Sequence, residues 1–407
     1  MKTYTYLDNG QALQWRDSKR YLWAAGLLIP LFPMAAVWLA ADGGHRIWYW
    51  LGPMWIAVVV PALDTLLGAD ARNPPEAVQP QLEADPYFRG CTLAFVPLQW
   101  AGLAVACFAA ATQPQMPWLD WLGLALTVGT VGGVAINTGH ELGHKKSAHE
   151  RWLGKLALAQ TAYGHFFVEH NRGHHYRVAT PEDPASARLG ESFWRFLPRT
   201  VFGSLRSAWH LEAERLHRHN SGPWTWHNQV LQAWALTPPL WLGLAVWLGP
   251  QVLGLLAVQA VFGFGLLEVV NYIEHYGLLR QQRADGRYVV CQPEHSWNAN
   301  QLASNLLLYN LERHSDHHAW PARRFQTLRH FDASPQLPTG YAGMLMLALL
   351  PPLWFAVMDP RVVRHYGGDV TRANLQPDRR AALLRQWSRG AEPEVHQETA
   401  APSVPMR

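Results

Sequence analysis

Nine histidines carry the chemistry that can be read in this chain. They fall in four clusters: His140 and His144 in "HELGHK", His170, His174 and His175 in "EHNRGHH", His275 in "NYIEHYGL", and His314, His317 and His318 in "ERHSDHHA". Imidazole ligates first-row metals, and residues three or four apart share a helical face. His140 with His144, His170 with His174, and His314 with His317 or His318 are therefore spaced to converge on one ion. Neighbours diverge by about 100° on a helix, so His174 with His175, and His317 with His318, suit two ions better than one. Nine ligands exceed the four of a closed zinc site and fit two metals with positions left open. Imidazole alone does not choose among iron, copper and zinc. Glu141, Glu169, Glu274, Glu312 and Asp316 stand beside these histidines, placed to accept the second ring N–H or to ligate directly.

"HELGH" also reads as H-E-x-x-H, the zinc-protease pattern with Glu141 as general base. That reading leaves seven clustered histidines without a role. Of the other eleven histidines, His165 and His210 are the first to consider for one.

The elements that must position these side chains are apolar. Residues 21–41, 47–67, 91–111, 118–138, 230–248 and 251–270 are six runs of roughly 20 residues nearly free of charge, the length a helix needs to cross a bilayer. Short connections pair them into three hairpins. Lys2, Arg16, Lys19 and Arg20 precede the first run, and Lys145, Lys146, Arg151, Lys155, Arg172 and Arg177 follow the fourth, while the tight turns hold almost no basic residue. Both termini and the long segments 139–228 and 271–388 are thereby expected in the cytoplasm, and the protein in the inner membrane. The expectation is an all-α integral membrane protein: six transmembrane helices in three hairpins, with a cytoplasmic helical cap that carries the histidines. A cytoplasmic segment 1–20 precedes one catalytic domain, 21–388, and a disordered tail or linker, 389–407, follows it. Residues 341–358 are apolar but broken by Pro351 and Pro352, and read as an interfacial or re-entrant hairpin. The first run lacks a cleavage pattern and reads as an anchor rather than a signal peptide.

A net charge of +4, with the basic residues flanking spans and no stripe of cations and aromatics, argues against nucleic acid as a partner. Cys91, Cys107 and Cys291 show no CxxC spacing, which excludes a zinc ribbon, an iron–sulfur site or a rubredoxin-type site within the chain.

Taken together, "NTGHELGHKK", "EHNRGHHYRVATPEDPASARLGE", "NYIEHYGL" and "LERHSDHHA", in this order, resemble the membrane-bound non-haem di-iron alkane hydroxylases. These are the rubredoxin-dependent alkane 1-monooxygenases of the histidine-rich membrane desaturase and hydroxylase superfamily. "NYIEHYGL" favours them over fatty acyl desaturases; xylene-type hydroxylases share much of the pattern and stay open. The resemblance implies terminal hydroxylation of medium- and long-chain n-alkanes, drawn from the bilayer, by dioxygen and two electrons. It implies that His140, His144, His170, His174, His175, His275, His314, His317 and His318 hold two irons, oriented by Glu141, Glu169, Glu274, Asp316 and Asp183. It further implies a rubredoxin, separate or fused, fed by an NADH-dependent rubredoxin reductase, since the chain has no flavin or haem motif of its own. Trp55 is placed to floor a substrate tunnel. Gly132, Gly133 and Gly263 either line that tunnel or serve close helix packing. Arg323, Arg324 and Arg329 form a dock for an acidic rubredoxin, or simply add to the inside-positive charge.

Overall fold

The computed structural model describes residues 1–41 and 44–388, so the expected tail 389–407 lies outside the described residues. Six helices among them are long and apolar enough to cross a membrane: Arg20–Ala40, Arg46–Leu67, Pro86–Thr112, Trp118–Gly143, Gln229–Leu248 and Val252–His275, hereafter spans one to six. Spans four and six run further than their apolar stretches, to Gly143 and His275. Their polar last turns face protein rather than lipid: Asn137, His140, Asn271, Glu274 and His275 are all buried.

Residues 1–20, expected as a plain segment, contain an antiparallel hairpin of β1 (Lys2–Asp8) and β2 (Gln11–Asp17), in register Lys2 to Asp17. Asn9 and Gly10 link the strands at φ 48° and 81°, the two-residue turn whose twist matches that of the strands. Asp85, at the start of span three, ties the hairpin to the bundle. It accepts hydrogen bonds from Lys2 Nζ at 2.7 Å and the Tyr4 hydroxyl at 2.9 Å, and pairs with Arg20.

Part of the segment 139–228 packs back against the helix bundle. The helix Ala148–Ala159 doubles back along span four. A Cβ on Gly139 would meet the Gly154 carbonyl oxygen at 3.0 Å, and one on Gly132 would meet the Thr161 methyl at 2.8 Å, so this close approach requires glycine. The tip reaches Val128, whose carbonyl accepts from Gln160 Nε2 at 3.3 Å. Carbonyls at the tip find donors within the protein: Ala159 from Thr237 Oγ1 at 3.0 Å, and Gln160 from Gln259 Nε2 at 2.7 Å and Trp241 Nε1 at 3.3 Å. Irregular backbone at such depth is tolerated only when protein groups replace the missing water. Basic residues near a span end report which side a loop enters from and say nothing about whether it dips back.

Residues 341–358 fall in a helical hairpin, Tyr341–Ala348 and Pro351–His365. Its anchor is Trp354, fully buried with its ring centroid 4.9 Å from that of Tyr272 and 5.2 Å from that of Tyr276 on span six.

Candidate metal centre

Four structural elements deliver the nine histidines to one place. The last turn of span four carries His140, and His144 caps it. A single π-helical turn, Glu169–His174, carries His170 and His174, and His175 follows it. His275 is the last residue of span six, and the short helix His314–Ala319 presents the rest. That short helix is set by its flanks: Tyr309 and Asn310 turn the chain at φ 55° and 56°, and Asn298 accepts from the Ser315 N–H at 2.9 Å while donating to its hydroxyl at 2.6 Å.

The nitrogens form two groups, each with all ligand atoms within 4.8 Å of one another: His140, His144, His170, His175 and His317 in one, and His174, His275, His314 and His318 in the other. The groups are neighbours, with the His175 and His318 ring centroids 4.4 Å apart. As the spacing predicts, adjacent histidines divide between the groups. His170 and His174, expected on one ion, also divide. In a π-turn the residue five along returns to the same face, so His170 is matched with His175, Nε2 to Nε2 at 3.0 Å.

The donor set fits metal ions. His317 Nε2 faces His140 Nε2 at 2.7 Å and His175 Nε2 at 3.0 Å; His314 Nε2 faces His275 Nε2 at 3.2 Å and His318 Nε2 at 2.8 Å. One Nε2 offers a single proton or a single lone pair, so it cannot serve two like neighbours by hydrogen bonding. A shared cation satisfies all of them. The Nε2 atoms of His144 and His174 are likewise buried without a partner. Burial, then neighbouring histidines, pushes His144, His170, His175, His314, His317 and His318 well below the usual imidazole range, which keeps them in the neutral, ligating form.

Two of the expected orienting carboxylates meet a histidine. Asp183 Oδ2 lies 2.9 Å from His174 Nδ1, and Glu274 Oε1 lies 3.1 Å from His314 Nδ1. The other three do not. Glu141 pairs with Lys145 at 2.8 Å and Glu169 with Arg177 at 2.8 Å, each being next in sequence to its histidine and so turned about 100° away. Asp316, two residues from His314 and so on the opposite side of that helix, pairs with Arg323 at 3.1 Å. Tyr341, which sequence reasoning missed, donates its hydroxyl to Glu274 at 3.0 Å; inside an apolar run nothing marked it. Glu312 accepts from the Tyr341 N–H at 2.6 Å and Asn305 Nδ2 at 3.1 Å, and holds backbone rather than imidazole. His165 is buried against Tyr163 outside both groups, and His210 is exposed beside Glu214.

The three arginines considered as a dock are not a free patch. Arg323 and Arg329 both pair with the buried Asp316, Arg329 also with Glu76, and Arg324 with Glu150 at 3.0 Å. Each guanidinium is mostly covered and paired with at least one acid, with Asp316 shared by Arg323 and Arg329 and Glu150 shared by Arg324 and Arg89. Of the tunnel candidates, Trp55 and Gly133 line an apolar cavity of about 90 Å³, which Asn137, one turn before His140, and Tyr341 also border. Gly132 and Gly263 do not line it; both face the methyl of Thr161 at the tip of the doubled-back segment, the packing role that small residues in spans serve.

Comparison with known proteins agrees with this architecture. The fatty acid desaturase family model matches residues 116–348. The alkane 1-monooxygenase of Ectopseudomonas oleovorans is 45% identical over 95% of this chain and 96% of its own length, and that of Acinetobacter baylyi is 45% identical over 91% of each. The hydroxylase component of the Pseudomonas putida xylene/toluene monooxygenase is 30% identical over 61% of this chain and 66% of its own. Near-complete coverage at that identity, on a multi-pass helical bundle that gathers two groups of buried imidazoles, settles the affiliation: the chain belongs to the alkane 1-monooxygenase family, among the membrane proteins of the fatty acid desaturase class.

Proposed function

We propose that the protein hydroxylates the terminal carbon of medium- and long-chain n-alkanes, converting R–CH3, dioxygen, two electrons and two protons into R–CH2OH and water. The observation that carries this reading is the pair of adjacent, buried imidazole groups of five and four nitrogens in a chain of this family. Two irons, one held by each group, would supply the dioxygen reduction that a strong apolar C–H bond demands and that no side chain provides. The protein's own contribution is to hold nine imidazoles together, to fix the ring of His174 through Asp183, and to place Glu274 beside His314. Burial also keeps bulk water from the reacting centre.

The electrons come from a rubredoxin served by an NADH-dependent reductase, and the bundle sits in the inner membrane with both termini and the histidines on the cytoplasmic side. Support for that orientation is the basic residues that flank the first and fourth spans. The alkane enters from the bilayer, and its reacting end reaches the apolar cavity beside Trp55 and Gly133. Replacing Trp55 with serine opens the wall, and gas chromatography of the products should show longer alkanes accepted; an unchanged chain-length profile rejects this placement.

Metal analysis of the purified protein, with octane-to-octanol turnover under air and under nitrogen, tests the whole reading. The expected result is about two irons per chain and 1-octanol only with oxygen and reductant. A single zinc with peptide cleavage, or metal binding without turnover, would overturn it. Xylene-type chemistry is the second reading, and a turnover assay with xylene in place of octane separates the two.

A further inference from the structure

A groove of about 590 Å³, lined by none of the nine histidines, opens where span five begins. Its walls are Arg151, Trp152 and Lys155 from the helix Ala148–Ala159, Arg215 near the end of the helix Phe193–His217, and Gln229 and Gln232 from the start of span five. Cations outnumber acids here. The buried Glu212 divides its charge between Arg215, bound at 2.9 and 2.8 Å, and Arg172, and also accepts the Gln229 N–H at 2.8 Å. Arg151 and Lys155 bond instead to neutral amides, Arg151 to Gln229 Oε1 at 3.3 Å and Lys155 Nζ to Gln232 Oε1 at 2.6 Å. Burial, with Arg151 next in effect and Glu212 opposing it, lowers Lys155 to about 8.

Trp152 stands in the wall and is 39% exposed, and Trp226, 61% exposed, is held beside the groove by Gln232 Nε2, which donates to the Trp226 carbonyl at 2.8 Å; such indoles sit at the headgroup level of a bilayer. A concave, positively charged site at the mouth of a span, with indoles in its wall and beside it, matches one ligand chemistry. We propose that this groove binds the phosphate of an anionic phospholipid in the leaflet on the histidine side, with Arg151 and Lys155 as the groups that hold the phosphate oxygens. The site is independent of the hydroxylation chemistry. Free phosphate would meet the same cations but leave the indoles bare, so the lipid is the better match.

The test titrates the full-length protein in detergent with phosphatidylglycerol, phosphatidylcholine or inorganic phosphate and reads bound ligand by native mass spectrometry. Phosphatidylglycerol should saturate a site at least about tenfold more tightly than phosphatidylcholine. The R151Q/K155Q variant should weaken it about 30-fold, each basic group near a membrane surface contributing about fivefold. Unchanged iron content confirms that the variant folds, and R151Q alone, at about fivefold, serves if the double variant does not. Equal phosphatidylglycerol affinity in the wild type and the variant overturns the proposal. Inorganic phosphate bound as tightly as the lipid reassigns the groove to a free anion and overturns the lipid assignment. A variant that keeps lipid binding but raises the KM for a reduced acidic electron-carrier protein marks a protein dock and overturns it as well.

Discussion

Replacing His314 with alanine should lower bound iron from about two per chain to about one and abolish 1-alkanol formation. His314 is the centre of the smaller group, with its Nε2 3.2 Å from that of His275 and 2.8 Å from that of His318. Without it three nitrogens remain, His174, His275 and His318, and the Glu274 carboxylate loses the ring that it faces at 3.1 Å. The group of five keeps all its ligands, so its metal should stay. His144→Ala makes the contrast: it leaves four nitrogens in the larger group, as many as the smaller group has when intact, and should retain both metals with a much smaller loss of turnover. Elemental analysis of the two variants, with circular dichroism to verify helix content, gives the answer. Loss of both metals from His314→Ala, or of neither, would sink the assignment of one metal to each group.

The parts legible in the sequence and the parts that were not differ in the range of the interactions that decide them. Six spans follow from composition alone, because hydrocarbon imposes one length and one polarity on each helix. The division of His174 from His175 and of His317 from His318 follows from helix rotation between neighbours. The division of His170 from His174 did not, because it depends on a local change from α to π winding at Glu169–His174 that no spacing rule foresees. The β1–β2 hairpin carried a signal that went unread: Asn9-Gly10 between two alternating runs is a strong hairpin mark. The ion pairs of Arg324 with Glu150 and of Arg329 with Glu76 are tertiary, between residues distant in sequence, so cations that read in the sequence either as a dock or as inside-positive charge are tied into ion pairs in the fold. The doubled-back helix Ala148–Ala159 was hidden for the same reason: its depth is set by Gly139, Gly132 and the donors from Gln259, Thr237 and Trp241, all supplied by other segments.

The Asp183→Asn variant should lose between about tenfold and about 100-fold in iron affinity or turnover while leaving the KM for alkane unchanged. Asp183 is fully buried on the loop after the π-turn; its Oδ2 lies 2.9 Å from His174 Nδ1 and accepts from Ser186 Oγ at 2.6 Å, and its Oδ1 accepts the Ala185 N–H at 3.1 Å. Burial alone would raise its pKa, but His174 and Ser186 outweigh that and hold the carboxyl down at about 2. It is therefore ionised at neutral pH and accepts the Nδ1–H of His174, which fixes the tautomer whose Nε2 lone pair is free for the metal. Asparagine is nearly the same size, so the loop should survive. It lacks the charge, and its NH2 group can take the place of the acceptor and force the other tautomer on the ring. Asp183 does not line the apolar cavity, so substrate affinity should not follow metal affinity. Chelator competition and a kcat against KM comparison separate the two effects. Iron affinity and kcat both within twofold of the wild type would show that the histidine holds its orientation without the carboxylate; an altered KM for alkane with unchanged iron affinity would place Asp183 in substrate binding instead.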